Sequence, residues 1–492
     1  MKYVATFDIG STAVKGALVN NKWDITHSGS REITTIYNDG HIEQSPVQWY
    51  DCFCELAKEF AIQVNPAEIA GVVMSGQMQN LIMLDRKSMP LHNAILYSDA
   101  RADSQVKRIN ALLGDNTIVQ VTGNPFDASI PLAKLLWIRE NIPDIIEKTY
   151  KIVFSSKDTI ISRLCGAFVT DVTTASTVGM MDITDNKWRN DLLESIGLKQ
   201  NLLPRLCYAH EEVGRVSTIA AKETGLLKNT PVYAGTGDAG ATTLAGCVSK
   251  PGEYYIYLGT SGWVATVSNE VLRYEGVFNL AAMPTGLFIN SVLFLNAGNV
   301  HKWICSILTP NKGSDSQQSD IYKYGSELLK DSTPGSNGLF CFPYLVGERF
   351  PIVDNAIRGA YIGITPKTTK SDLVRAALEG VAYSIRQGIE HHSEIPISIS
   401  LIGGGTREAV MCQLLSDVLG TPIAVYSDAE YAPSQAIAAS VFISQRDIDK
   451  YDAFINMRKS ECTMYYPACE NISIYQETYR KYLSIYPALK AP

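Results

Sequence analysis

The order of segments along the 492 residues predicts an α/β protein built from two related halves. Three observations carry this. β-rich segments alternate with segments of helical spacing. A strand–turn–strand unit opens the chain, with Tyr3–Ile9 and Lys15–Asn20 joined through Gly10-Ser11-Thr12. A similar unit recurs mid-chain, where Tyr254–Leu258 meets Gly259-Thr260-Ser261-Gly262 and Val264–Val267.

The remaining elements follow in order. Ile130–Asn141 has helical spacing and stops before Pro143, and Lys157–Cys165 stops at Gly166. The polar turn Ser249-Lys250-Pro251-Gly252 divides the chain into domains 1–248 and 249–492. Thr309–Asp320, rich in Ser, Gln and Asp, reads as an exposed loop. Ser371-Asp372 caps a helix that carries Leu373, Ala377, Val381 and Ile385 at four-residue spacing. Leu401-Ile402 enters the turn Gly403-Gly404-Gly405, and a helix from about Glu408 to Leu419 ends at Gly420.

Composition excludes several classes. A net charge of −7 with no Lys/Arg cluster argues against nucleic-acid binding. No apolar run is long enough to cross a membrane, and the N-terminal apolar run meets Asp8 too soon for a signal peptide. The ten cysteines are scattered without a C-x-x-C pair, which predicts reduced thiols and a cytoplasmic protein.

The run Gly235-Thr236-Gly237-Asp238-Ala239-Gly240 follows the short apolar strand Val232–Ala234 and matches a dinucleotide turn. Asp238, however, would repel a pyrophosphate, and the next strand ends in Gly259–Gly262 rather than in an acid. Asp238 suits a general base that takes a proton from a substrate hydroxyl, or a helix N-cap. Asp8 ends a strand at a turn, where it suits a hydrated Mg²⁺ or a turn cap. The turns at Gly10, Gly259 and Gly403 let backbone N–H groups converge on an anion, and no P-loop is present. Gln77-Met78-Gln79-Asn80 offers neutral groups beside a methionine, suited to a polyhydroxylated ligand or to a plain strand exit. Tyr97-Ser98-Asp99-Ala100-Arg101 adds an aromatic and a charge pair, readable also as a surface salt bridge.

Together these motifs resemble the FGGY carbohydrate kinases. They are F-D-I-G-S-T at Phe7–Thr12, S-G-Q-M-Q at Ser75–Gln79, G-T-G-D-A at Gly235–Ala239, L-G-T-S-G at Leu258–Gly262 and I-G-G-G-T at Ile402–Thr406. Gly359–Glu379 looks like the family's C-terminal signature. Thr122–Pro125, Lys134–Glu140, Lys157-Asp158 and the tail Tyr486–Lys490 look most like the xylulokinase branch.

The resemblance implies two actin-like/hexokinase-like (ribonuclease H-like) ATPase domains closing on a catalytic cleft. It implies ATP and Mg²⁺ as cofactors and a small-molecule sugar as partner, D-xylulose first and another ketose, polyol or sugar acid second. A homodimer is the assembly to test. Asp238 would be the proton acceptor and Asp8 would organise Mg²⁺. Gln77, Met78, Gln79 and Asp99 would meet the sugar. Ser11, Thr12, Gly259, Thr260, Gly404 and Gly405 would meet the nucleotide. A non-catalytic actin-like module would share the phosphate turns but has no reason to carry G-Q-M-Q. Three departures from the branch cluster on the sugar side. Gln79-Asn80 replaces its usual His-Gly, Ala239 its Asn, and Tyr97 its Trp.

Overall fold

The computed structural model describes residues 2–309, 318–392, 396–426 and 430–490. The expected loop Thr309–Asp320 therefore lies outside the described residues over 310–317, and a helix spans Gln318–Lys330.

The first sheet opens with the antiparallel strands β1 (Tyr3–Ile9), β2 (Ala13–Asn20) and β3 (Ile25–Glu32). Helix α1 (Pro46–Gln63) starts at Ser45, whose side chain accepts the Gln48 N–H, and it buries Trp49, Phe53, Leu56 and Phe60 on one face. Strand β4 (Ile69–Gly76) runs parallel to β1. Helix α2 (Ser156–Cys165) is closed by a Ser155/Asp158 capping box. Strands β5 (Glu212–Arg215) and β6 (Pro231–Tyr233) complete the order β5-β6-β4-β1-β2-β3, and Thr236–Gly237 pairs with the end of β4. Helix α3 (Asp238–Ala245) leaves directly from that pairing.

The second sheet repeats the plan with β7 (Tyr254–Leu258), β8 (Gly262–Ser268), β9 (Val277–Ala281) and β10 (Phe288–Phe294). Helices α4 (Gly298–Leu308) and α5 (Lys370–Glu390) precede β11 (Ile399–Ile402), α6 (Ala409–Leu419) and β12 (Ile423–Tyr426). Helix α7 (Ala432–Ser444) and strand β13 (Cys462–Tyr465) follow, giving the order β9-β10-β8-β7-β11-β12-β13. The inner ladders β3-β2-β1-β4-β6 and β10-β8-β7-β11-β12 match. Each has a hairpin whose first strand pairs in parallel with the strand that follows a crossover. The duplicated hairpins of the sequence are thus duplicated domains.

Alternate residues of β4 serve two cores, as a strand's two-residue period requires. Val72 and Met74 pack with Trp49 and Phe53 of α1, whereas Val73 packs with Ile437 and Val441 of α7. A helix from the C-terminal half therefore covers one face of the first sheet. One sequence expectation shifts by two residues: α5 is capped by Thr369, not Ser371. The Thr369 hydroxyl accepts the Asp372 N–H at 3.2 Å while Asp372 Oδ2 accepts the Thr369 N–H at 2.8 Å. That reciprocal pair needs a three-residue spacing, which leaves Ser371 inside the first turn. Among the described residues no helix is long and apolar enough to cross a membrane, and the ten cysteines are unpaired.

Candidate active site

Asp8 lies near the end of β1, opposite Ser75 of β4 and Lys15 of β2. Its Oδ1 accepts the Ser75 hydroxyl at 2.8 Å. Burial pushes its carboxyl up, against the opposing pull of Ser75 and Lys15. The turn that follows is braced from behind. Gln44 Nε2 donates to the Ser11 carbonyl at 2.7 Å, and Gln44 Oε1 accepts Trp49 Nε1 at 3.0 Å and Gln77 Nε2 at 2.8 Å. Gln77, expected beside the sugar, is thus buried behind Gly10-Ser11-Thr12.

Asp238 opens α3, with its Oδ1 on the Ala239 N–H at 2.9 Å. The side chain is accessible at the cleft mouth yet ringed by protein. That desolvation, followed by the charge of Asp8, pushes its carboxyl up to about 7. Asp238 therefore lies within the field of Asp8, a residue far from it along the chain. A Cβ at Gly237 would lie 2.3 Å from Met78 Sδ, so a larger residue there would displace the Met78 side chain.

A buried ion group holds this turn. Lys157 Nζ donates to Asp158 Oδ1 at 2.7 Å and meets Asp171 Oδ1 at 2.8 Å, all three side chains being buried. Asp171 Oδ2 accepts the Gly237 N–H and the Thr236 hydroxyl, each at 3.2 Å. Burial opposes the charge of Asp171, but Lys157 and the Thr174 donors outweigh it and hold the carboxyl below its usual range. Sequence reasoning missed Asp171; its position at the end of the short strand Val169–Asp171 was the available signal.

On the sugar side, Met78 is buried among Val248, Tyr255, Leu280 and Ile402, where the two halves meet. Gln79 has φ +61°, and its Nε2 donates to Ser129 Oγ at 2.7 Å. Asn80 is buried; it donates to the Gln77 carbonyl and accepts the Tyr97 N–H, both at 3.3 Å. The Tyr97 phenol is within hydrogen-bonding reach of Ser11. Burial raises its pKa, and Asp238 adds to that rise. Asp99 and Arg101 are no surface pair, being 0% and 2% exposed. Asp99 is saturated by Arg101 and by the N–H groups of Ile42 and Arg101, and Arg101 also meets Glu43 at 2.8 Å.

The C-terminal wall holds a cavity of ≈ 610 Å³. Gly259, Thr260, Gly404 and Gly405 line it together with Leu258, His301, Trp303 and Glu408. Asp8 and Asp238 lie outside this lining. The N-terminus of α4 abuts the β7–β8 turn. Gly298 N donates to the Gly259 carbonyl at 2.9 Å and Asn299 N to the Thr260 carbonyl at 3.0 Å. A Cβ on Gly298 would lie 2.3 Å from the Gly259 oxygen, a contact the sequence reading did not single out.

Residues 3–245 match the N-terminal domain, and residues 254–434 the C-terminal domain, of the FGGY family of carbohydrate kinases. A xylulose kinase of Bacillus subtilis (strain 168) is 29% identical over 501 residues, covering 100% of this chain and 98% of that one. A gluconokinase of the same organism is 26% identical over 463 residues, covering 92% and 90%. The crystal structure of a ligand-bound xylulose kinase from Lactobacillus acidophilus superimposes with a TM-score of 0.89 at 25% identity, covering 100% of this chain and 99% of that one. The repeated sheets are those of actin-like/hexokinase-like ATPase domains. With both family domains matched in order over most of its length, this chain belongs to the FGGY family of carbohydrate kinases.

Proposed function

We propose that this kinase transfers the γ-phosphoryl group of ATP to a hydroxyl of a neutral ketopentose, with D-xylulose first. The observation that carries the reading is Asp238, exposed at the start of α3 and within the field of the Asp8 carboxylate. An aspartate pushed up to about 7 is a stronger base than one at its ordinary pKa, and it is half-ionised near neutrality. It takes the proton of the attacking hydroxyl as the oxygen bonds to the γ-phosphorus and ADP departs.

Mg²⁺ fits beside Asp8. The ion needs one or two carboxylates, with phosphate and water as its other ligands. Asp8 is a half-buried carboxylate whose Oδ1 accepts the Ser75 hydroxyl, and among the described residues its Oδ2 accepts no hydrogen bond and no three-ligand cage competes. When bound, the ion would neutralise charge on the β- and γ-phosphates. The turn Gly10-Ser11-Thr12 would align the transferring group, and Gly259, Thr260, Gly404 and Gly405 would hold the nucleotide.

Met78, Gln79, Tyr97 and Asp238 are neutral or anionic, and Arg101 is neutralised by Asp99 and Glu43. Such a wall suits a neutral sugar better than a sugar acid, whose carboxylate would meet Asp238. ADP release measured over D-xylulose, D-ribulose, ketohexoses, polyols and gluconate tests this. D-Xylulose should give the highest kcat/KM. A higher value for gluconate would overturn the neutral-sugar reading, and silence on every acceptor would overturn the catalytic one.

A further inference from the structure

Gln79 is held at its root and at its tip. Its backbone is in the left-handed region, where a β-carbon is disfavoured, so the surrounding fold must impose that conformation. Asn80, the next residue, ties the segment to the Gln77 carbonyl on one side and the Tyr97 N–H on the other. At the tip, Nε2 donates to Ser129 Oγ at 2.7 Å. Ser129 Oγ in turn donates to Asp127 Oδ1 at 2.5 Å, and the Ser129 N–H donates to the same oxygen at 2.8 Å.

The direction of this chain follows from proton count. A carboxylate has no proton to give, so the single hydroxyl proton of Ser129 goes to Asp127. Ser129 then offers Gln79 only a lone pair, and only the amide NH₂ can fill it. The amide carbonyl Oε1 is thereby turned away from Ser129, and among the described residues it accepts no hydrogen bond. The two chain neighbours of Gln79 reach toward the surroundings of Asp238. Met78 before it covers Gly237, next to Asp238, and Asn80 after it holds Tyr97, whose phenol feels the Asp238 charge.

We propose that Asp127 and Ser129 are positioning residues that fix the Gln79 amide with its NH₂ on Ser129 and its Oε1 turned the other way as an acceptor, so that the sugar site selects a ligand with a hydroxyl donor at the place of Oε1. The proposal rests on the reading of Gln79 as sugar-facing. A ligand with a deoxy carbon or an ether there leaves Oε1 without a donor, and such losses discriminate strongly in a site built around a hydrogen bond.

The test compares kcat and KM for D-xylulose, D-ribulose and single-deoxy ketopentoses in wild type, Ser129→Ala, Asp127→Ala and Asp127→Asn. Freeing the amide should raise the KM for D-xylulose about three- to tenfold, the value of one net hydrogen bond, with kcat and the KM for ATP within about twofold. Discrimination against the deoxy sugar should fall in the same two alanine variants. Asp127→Asn keeps an Oδ1 acceptor for both Ser129 donors and should stay within about twofold of wild type. Asp127 is exposed, so its two variants decide the matter even if Ser129→Ala folds poorly. Unchanged sugar KM and unchanged discrimination in Asp127→Ala would overturn the proposal. Failure of wild type on every ketose would instead overturn the ketose reading itself.

Discussion

Asp171 accepts the Gly237 N–H at 3.2 Å with one carboxylate oxygen and meets Lys157 Nζ at 2.8 Å with the other. The residue that presents Asp238 is therefore hung from a buried ion group rather than from the sheet alone. Lys157→Met would leave Asp158 and Asp171 as uncompensated buried charges. Breaking such a group from one side costs about 3–5 kcal/mol. A thermal melt should show a clear loss of stability, and the surviving folded fraction should have a lowered kcat. A Tm within a degree or two of wild type would show that the group carries no such load.

Asp238→Asn removes the proposed base while keeping the turn, since its Oδ1 can still accept the Ala239 N–H. General-base contributions of about 10²–10⁴ set the expected loss in kcat. Nucleotide binding, followed by fluorescence or calorimetry, should persist. A near-normal kcat would remove Asp238 from the chemistry.

The same carboxyl sets a pH dependence. Only ionised Asp238 can accept a proton, and its pKa is pushed up to about 7 in the free protein. The kcat/KM for sugar should therefore fall about tenfold per pH unit below that point, and level off above it. A cation brought beside Asp8 favours the ionised form and moves the limb to lower pH, so raising Mg²⁺ should shift it downward. A profile flat from pH 5 to 8 would contradict the assignment.

The glycine turns were readable in the sequence because glycine and the two-residue strand period act locally. The duplication was readable for the same reason, since β1–β2 and β7–β8 are contiguous hairpins. The clustering was not readable. Asp171 reaches Gly237 across 66 positions, and Ser129 reaches Gln79 across 50. The Asp99–Arg101 pair shows the limit most directly. Its i,i+2 spacing fits a solvated loop, and distant partners take both side chains out of water: the Ile42 N–H on Asp99, Glu43 on Arg101, and the Trp137 ring over the guanidinium.

Gly298 offers a test confined to the nucleotide side. A methyl group there would lie 2.3 Å from the Gly259 oxygen, inside any real contact distance, so Gly298→Ala must displace the β7–β8 turn or the start of α4. Thr260, one residue on, would move with the turn. The KM for ATP should rise about tenfold, equivalent to about 1.4 kcal/mol, while the KM for sugar stays within about twofold. Equal effects on both substrates would mean that the cleft responds as one body.

The departures on the sugar side form one connected structure, which makes a prediction about their combination. Asn80 accepts the Tyr97 N–H while its own position depends on the left-handed turn at Gln79. Replacing Gln79 by His alters the turn's side chain, and replacing Tyr97 by Trp removes the phenol within reach of Ser11. Residues that share a network show coupling of about 0.5–3 kcal/mol, whereas independent ones add to within about 0.3–0.5 kcal/mol. A double-mutant cycle on kcat/KM for D-xylulose and D-ribulose should therefore depart from additivity. Strict additivity for both sugars would mean that Gln79 and Tyr97 read the substrate separately, and that Asn80 only holds the loop.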